Sequence, residues 1–231
     1  MEANTTKTSL RTAALIAGLA LITMAIAAPI AELFVYPKLV NPWNVSETIK
    51  NIIANQTLFR ACILCYLLTF ICDILAAWAL YILLKPVNEN LSILTASFRI
   101  VYAVIAIVAL INLVTVLKIL NNPDYIKTFQ PNQLSLQINL SLNAFKNGWN
   151  FGIIFFGIHL EILGYLVFRS KYIPKIMGIL LIIAGLGYLT NALKPFLFPD
   201  ITLDFAKFTF YGELIFMLWL LIKGSRMKEL I

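Results

Sequence analysis

The chain has 231 residues, of which 61% are hydrophobic and 13% charged, with a formal net charge of +7 and a mean hydropathy of +0.87. Soluble domains use closer to ~45–50% apolar residues, so a water-soluble core of this length is excluded. The Lys and Arg residues fall mostly in short segments between apolar runs, as membrane topology requires, and we expect no nucleic-acid partner.

Six stretches of about twenty residues carry almost only apolar side chains. A bilayer core of roughly 30 Å is crossed by ~20 helical residues, so each stretch is typical of a transmembrane helix. We therefore predict an all-α fold, a bundle of six transmembrane helices in a single integral membrane domain over residues 1–231. The predicted spans cover about residues 12–35, 57–84, 91–120, 150–168, 174–193 and 205–222.

The first apolar run could be mistaken for a secretory signal, because Met24–Ala28 resembles a small-residue cleavage site. The run is longer than the ~7–15-residue core of a signal peptide, so we predict a retained span. Lys85-Pro86 ends the second span, since proline cannot continue a helix. A short polar turn follows, and spans two and three are predicted to form an antiparallel hairpin.

The longest polar segment ends in residues 132–147, which alternate between polar and apolar side chains. Strict alternation fits a strand, but Leu134, Ile138, Leu142 and Phe145 also form a helical stripe. A lone strand beside a bilayer would leave its edge amides unsatisfied. We predict an amphipathic helix on the outer side that leads into span four.

The orientation follows from the Lys and Arg residues near the ends of the spans. A cytoplasmic N-terminus places the cluster between spans four and five, together with the C-terminal tail, on the cytoplasmic side. The sequence thus predicts a multi-pass protein of the cell membrane with both termini in the cytoplasm.

The three cysteines, Cys62, Cys65 and Cys72, lie in one apolar run and are odd in number, which excludes a disulfide framework. Cys62 and Cys65 form a C-x-x-C pair, but no nearby histidine completes a zinc site and no βαβ context supports a redox motif. We interpret them as small core residues and expect neither a metal nor a cofactor.

Asp73 and Arg99 are ionisable residues inside predicted spans. Asp73 lies about eleven residues from the inner end of span two and Arg99 about eight from the inner end of span three, so they reach similar depths. The long arginine stem can close the remaining gap. We predict an Asp73–Arg99 ion pair, most simply a structural lock between helices.

All six spans also place a polar group in the outer half of the membrane. Facing lipid would cost each charged member roughly 2.5–3.5 kcal/mol, so we expect a shared, partly hydrated pocket in which Glu32 or Glu213 balances Arg60. The alternative is a set of separate interhelical pairs. The ligand-binding candidates are Arg60, His159, Glu213, Glu32, Asn112, Tyr188 and Asn191.

His159 is the only histidine, which excludes bis-histidine haem ligation and the two-histidine zinc helix. It is either a hydrogen-bonded structural residue or a proton carrier or substrate contact. Glu161 points roughly away from it and shares a face with Gly157 and Gly164, which indicates close helix packing.

Several segments together resemble the bacterial polytopic membrane family known as domain of unknown function DUF4386, over nearly the whole chain. The resemblance implies a single membrane domain and brings no activity with it. The segments are Ala31–Phe34, Leu58–Arg60 followed by Asp73, Lys85–Asn88, Phe98-Arg99, Phe155–His159, Gly164–Ser170, Ile173-Pro174, Gly185–Tyr188, and Gly212-Glu213 with Trp219-Leu220.

No phosphate-cradling loop, nucleophile elbow or paired aspartate motif occurs, so catalytic residues stay unassigned and an enzyme is the less favoured interpretation. The sequence favours binding or moving a small molecule, lipid or proton, with Arg60, Glu213 and His159 as contacts. The alternatives are an intramembrane enzyme acting on a lipid or isoprenoid, with His159 or Glu213 as general base, and a non-catalytic accessory subunit. The lipid bilayer is the expected partner, and a homo-oligomer stays open.

Overall fold

The computed structural model describes residues 9–124, 130–197 and 211–224, and these residues form helices and no strand. This confirms the predicted all-α fold class. The helices are α1 (Leu10–Pro29), a π-helical turn (Ile30–Val35), α2 (Tyr36–Leu39), α3 (Val45–Ala54), α4 (Gln56–Leu84), α5 (Glu89–Asn121), α6 (Pro131–Arg169), α7 (Lys175–Leu197) and α8 (Tyr211–Ile222).

Five helical segments are long and apolar enough to cross a membrane: Leu10–Leu39, Gln56–Leu84, Glu89–Asn121, Pro131–Arg169 and Lys175–Leu197. Their outward faces carry large apolar side chains, among them Leu64 at 63% exposure and Ile111 at 58%, as lipid contact requires. The apolar helix α8 is shorter. The predicted sixth span began at about residue 205, and residues 205–210 lie outside the described residues.

Proline sets the shape of the first span. Pro29 ends α1, and because it has no backbone N–H and its ring crowds the preceding turn, the regular hydrogen-bond ladder cannot pass through it. A six-residue π-helical turn, Ile30–Val35, takes up the disruption and carries Glu32. The helix then resumes as α2, which ends at Leu39.

Helix α3 was not predicted from the sequence. Its N-cap is Asn44, whose side chain accepts a hydrogen bond of 3.0 Å from the backbone N–H of Glu47. Thr48 is buried and donates to the carbonyl oxygens of Asn41 and Asn44, which fixes α3 against the chain that enters it.

Helix α6 joins the predicted amphipathic segment and the fourth span into one helix of 39 residues. Ile138, Leu142 and Phe145 are buried, while Leu136, two residues before them, and Leu140, between the first two, are more than half exposed. The spacing of the buried residues is therefore helical throughout, and residues 132–147 form a helix and not a strand.

The described residues fall into two compact units. Unit 1 contains those within Met1–Ile22, Cys72–Tyr102 and Ile153–Ile231, and unit 2 those within Thr23–Ile71 and Ala103–Gly152.

In unit 1, glycines bring α6 and α7 into backbone contact. A Cβ added to Gly164 would lie 2.7 Å from the carbonyl oxygen of Gly178, and one added to Gly178 would lie 2.6 Å from that of Gly164. Neither position has room for a side chain without moving a backbone. A Cβ on Gly185 would meet Glu161 Oε1 at 2.6 Å, so the packing face predicted around Glu161 is the face that meets α7.

The hairpin between α4 and α5 sets the depth of the charged residues in unit 1. The Asn88 side chain caps α5 by accepting from Leu91 N at 3.0 Å, and Ser92 donates to the Tyr81 carbonyl oxygen at 2.9 Å. Asp73 precedes the end of α4 by eleven residues, and Arg99 follows the start of α5 by ten. At ~1.5 Å per residue the two side chains start from nearly the same level.

A buried ion-pair network as the candidate functional site

Asp73 and Arg99 meet inside unit 1. Arg99 Nη2 lies 2.7 Å from Asp73 Oδ1, and both side chains are at most 3% exposed. The other ion pair among the described residues, Lys85 with Glu89 at 2.8 Å, is on the exposed hairpin turn. Pairing avoids leaving either charge alone in a low-dielectric environment, although both groups lose their hydration.

His159 extends this network from α6. Arg99 Nη1 lies 3.1 Å from His159 Nε2, and His159 Nδ1 lies 2.9 Å from the Thr95 carbonyl oxygen. A guanidinium can only donate, so Nε2 must accept, which places the ring proton on Nδ1 and leaves the imidazole neutral. The Thr95 hydroxyl donates to the His159 carbonyl oxygen at 2.9 Å and completes the link between α5 and α6.

Phe156 is the aromatic centre of the site. Its ring centroid lies 5.2 Å from Arg99 Cζ, a cation–π distance, and 5.8 Å from the His159 ring. Tyr102 and Tyr188 pack on the same ring with centroids at 4.9 and 5.3 Å. The guanidinium is therefore held by a carboxylate, an imidazole and an aromatic face together.

Glu213, on α8, brings a second carboxyl group to this network. Its carboxyl group interacts electrostatically with the Tyr188 hydroxyl and with Arg99. Glu213 and Arg99 line a cavity of about 10 Å³ that is otherwise walled by apolar side chains, Leu80, Leu160 and Phe216 among them. A cavity of ~10–15 Å³ holds one water molecule, so a single water fits in this space.

The seven ligand-binding candidates are divided between the two units. Unit 1 contains His159, Tyr188, Glu213 and Asn191, and Asn191 is exposed. Unit 2 contains Glu32, Arg60 and Asn112.

In unit 2 the carboxylate of Glu32 accepts a hydrogen bond from the Tyr66 hydroxyl. Asn112 donates to the Ala109 carbonyl oxygen of its own helix at 3.0 Å. Arg60 is exposed and forms no ion pair within residues 9–124, 130–197 and 211–224, so the Glu32–Arg60 balance is not formed there.

Thr95, Phe156 and Tyr66 belong to these networks and were missed by sequence reasoning. Thr95 precedes Arg99 by one helical turn and Phe156 precedes His159 by three residues, so each shares a face with a residue already singled out. This helical spacing was the feature of the sequence from which Thr95 and Phe156 could have been predicted. Within the described part of the chain no group of three His, Cys, Asp or Glu side chains is placed to hold a metal ion.

These features define a class: an all-helical, multi-pass membrane protein with a buried polar network among its helices. The family model of the domain of unknown function DUF4386 matches residues 16–224, so the chain belongs to this family, and the resemblance drawn from its motifs is confirmed. An "Uncharacterized protein" of Archaeoglobus fulgidus is 37% identical over 164 residues, which cover 71% of this chain and 84% of that protein. No solved structure gives a significant match.

Removing one partner of the buried pair is expected to destabilise the fold more than removing both. Arg99→Met or Asp73→Leu alone should lower the free energy of unfolding by about 3–5 kcal/mol, because the remaining charge is stranded. The double variant should recover part of this loss. The measurement is unfolding by sodium dodecyl sulfate, followed by circular dichroism.

The control is Lys85→Gln with Glu89→Gln, which removes the exposed pair and should leave the unfolding curve unchanged. Strictly additive losses in the double variant would show that Asp73 and Arg99 do not stabilise each other.

Proposed function

We propose that the chain crosses the membrane six times, with both termini in the cytoplasm. The five long helices and the apolar α8 support the count, since residues ahead of Tyr211 continue the apolar segment in the sequence. The clustered Lys and Arg residues after α6 and after α8 support the orientation. The surrounding bilayer is then the partner of the exposed apolar faces.

Fluorescent-protein fusions at the two termini test this topology, because such a protein folds in the cytoplasm and fails to fluoresce after export. Six spans with cytoplasmic ends predict fluorescence from both fusions. Fluorescence from one terminus alone would show an odd number of spans, and from neither would reverse the orientation.

We further propose that unit 1 binds or moves a proton at Glu213. The observation that carries this proposal is the charge count around Arg99: the guanidinium is already paired with Asp73, and Glu213 is a second acid beside the same cation. With His159 neutral, an ionised Glu213 leaves the network with a net negative charge in a low-dielectric interior. A proton on Glu213 removes that charge.

The cavity size favours a proton over a lipid or metabolite. The space between Arg99 and Glu213 is about 10 Å³, whereas drug-sized ligands occupy pockets of ~300–1,000 Å³. One water molecule in this cavity would join Glu213 to the Arg99 network. Tyr188 interacts electrostatically with Glu213, and its hydroxyl is a group that can donate to an ionised carboxylate.

His159 has a different role in this proposal from the one given to it on the sequence. Both of its ring nitrogens are engaged, by Arg99 and by Thr95, so it orients the guanidinium rather than contacting a ligand. Asp73, Arg99 and His159 thus form the scaffold, and Glu213 is the exchanging group.

Infrared difference spectroscopy in lipid tests the proton site. Acidification of the wild-type protein should produce a carboxylic C=O stretching band that is absent from Glu213→Gln, because amide and acid carbonyls absorb at different frequencies. Glu161→Gln is the matched control: Glu161 is an acid of unit 1 whose Oε1 packs against Gly185, and its removal should leave the band in place.

The same band in Glu213→Gln as in the wild type would overturn the proposal. Proton entry into liposomes that contain the protein and an internal pH dye then distinguishes proton movement from proton binding. A flux abolished by Glu213→Gln and kept by Glu161→Gln assigns movement, and the band without a flux assigns binding.

A further inference from the structure

A second cavity, in unit 2, is built from residues that the proton site does not use. It has a volume of about 30 Å³ and lies where the first span ends, between α2, the start of α3 and the first part of α6. At ~10–15 Å³ per water, it holds two or three waters or the oxygens of one small group. The lining residues that matter here are Tyr36, Asn139, Asn143 and Lys146.

Tyr36 lines this cavity and carries an unused hydrogen-bond donor. The residue is 3% exposed, and its hydroxyl has no hydrogen-bond partner among the described residues. A buried hydroxyl without a partner is costly, and such groups are normally satisfied by protein, water or ligand. A polar ligand in the cavity would give this hydroxyl a partner.

The other polar lining groups are also donors. Lys146 Nζ lies 5.2 Å from the centroid of the Tyr36 ring, so its positive charge is beside the cavity. Asn143 Nδ2 donates to Asn139 Oδ1 at 3.2 Å, so the Asn139 N–H groups remain available as donors. Hydroxyl, amide and ammonium donors together select an anionic oxygen.

Neither of the two acidic side chains near the cavity lines it. Glu32 interacts electrostatically with Tyr36, and its carboxylate accepts a hydrogen bond from the Tyr66 hydroxyl. Glu47 does not line the cavity, and its Oε2 accepts from Asn41 Nδ2 at 2.7 Å. Thr48, which lines the cavity, has its hydroxyl occupied by the carbonyl oxygens of Asn41 and Asn44. Lys146 is thus the charged group among the described lining residues.

The surroundings indicate the source of the anion. Trp43 is 94% exposed beside the cavity residue Pro42, and exposed tryptophans are typical of the membrane–water interface. Leu33 and Phe34 on the first span and Leu140 on α6 expose apolar surface next to cavity residues, as acyl chains would require. We propose that this cavity binds the phosphate of an anionic phospholipid headgroup through Tyr36, Asn139 and Lys146.

Thermal unfolding in a neutral detergent tests the site during titration with short-chain phosphatidylglycerol, phosphatidylcholine or inorganic phosphate. A dye that reacts with the buried Cys62 and Cys72 reports unfolding. Phosphatidylglycerol should raise the melting temperature of the wild type at lower concentration than phosphatidylcholine. Lys146→Gln should weaken its half-saturation about fivefold, and Tyr36→Phe about tenfold.

Two variants are the matched controls: Lys50→Gln removes an exposed lysine of α3 that does not line the cavity, and Tyr165→Phe removes a hydroxyl from an exposed tyrosine of unit 1. Both should bind phosphatidylglycerol as the wild type does. Since Lys146 is exposed, Lys146→Gln should fold even where Tyr36→Phe is impaired, and the lipid-free melting temperature shows this.

Inorganic phosphate that stabilises the wild type as strongly as phosphatidylglycerol, and loses that effect in Lys146→Gln and Tyr36→Phe, would assign the same anion site to a soluble ligand. Equal half-saturation by phosphatidylglycerol in the wild type, Lys146→Gln and Lys50→Gln would overturn the proposal.

Discussion

A full positive charge within apolar helices is the constraint on which unit 1 depends. Among the described residues Arg99 is the largest fully buried side chain, at 2% exposure. A charge at the centre of a bilayer costs at least ~2.5–3.5 kcal/mol when unpaired, so its partners are a requirement of the fold. Asp73, His159 and Phe156 meet this requirement from α4 and α6, and thereby hold these helices to α5.

The sequence could predict what depends on distance along a helix. A helix rises by a constant amount per residue, so counting from the Lys85-Pro86 turn placed Asp73 and Arg99 at one level, and they are in contact in the structure. The contact of Arg99 with His159 depends instead on the rotation of α6 about its axis. The close approach of Gly164 to Gly178 fits that rotation. The sequence indicates a packing face at Gly157 and Gly164 but not the glycine that it meets.

Local backbone chemistry explains the remaining differences. A capping pattern at Asn44 and Glu47 is present in the sequence and predicts the start of α3 in the segment between the first two spans. The π-helical turn after Pro29 was not predictable. A proline indicates that the backbone hydrogen bonds of the helix are interrupted, but the helix can respond with a kink, a break or a π-helical turn. The prediction of a shared outer pocket rests on polarity, and polarity does not predict individual partners such as the Tyr66 hydroxyl that donates to Glu32.

The two cavities suggest a division of chemistry within one chain. The cavity of unit 1 is sized for a single water beside an acid and a guanidinium, and that of unit 2 is lined by donors near an exposed tryptophan. The proton proposal depends on His159 being neutral and accepting from Arg99, because a charged or reversed imidazole would change the charge count around Glu213.

Nitrogen-15 NMR of the protein in lipid, labelled at its one histidine, tests this most directly. The account predicts a neutral ring at neutral pH, protonated at Nδ1, with a hydrogen-bonded acceptor at Nε2 that loses its partner in Arg99→Met. A proton on Nε2, or an imidazolium, would contradict it.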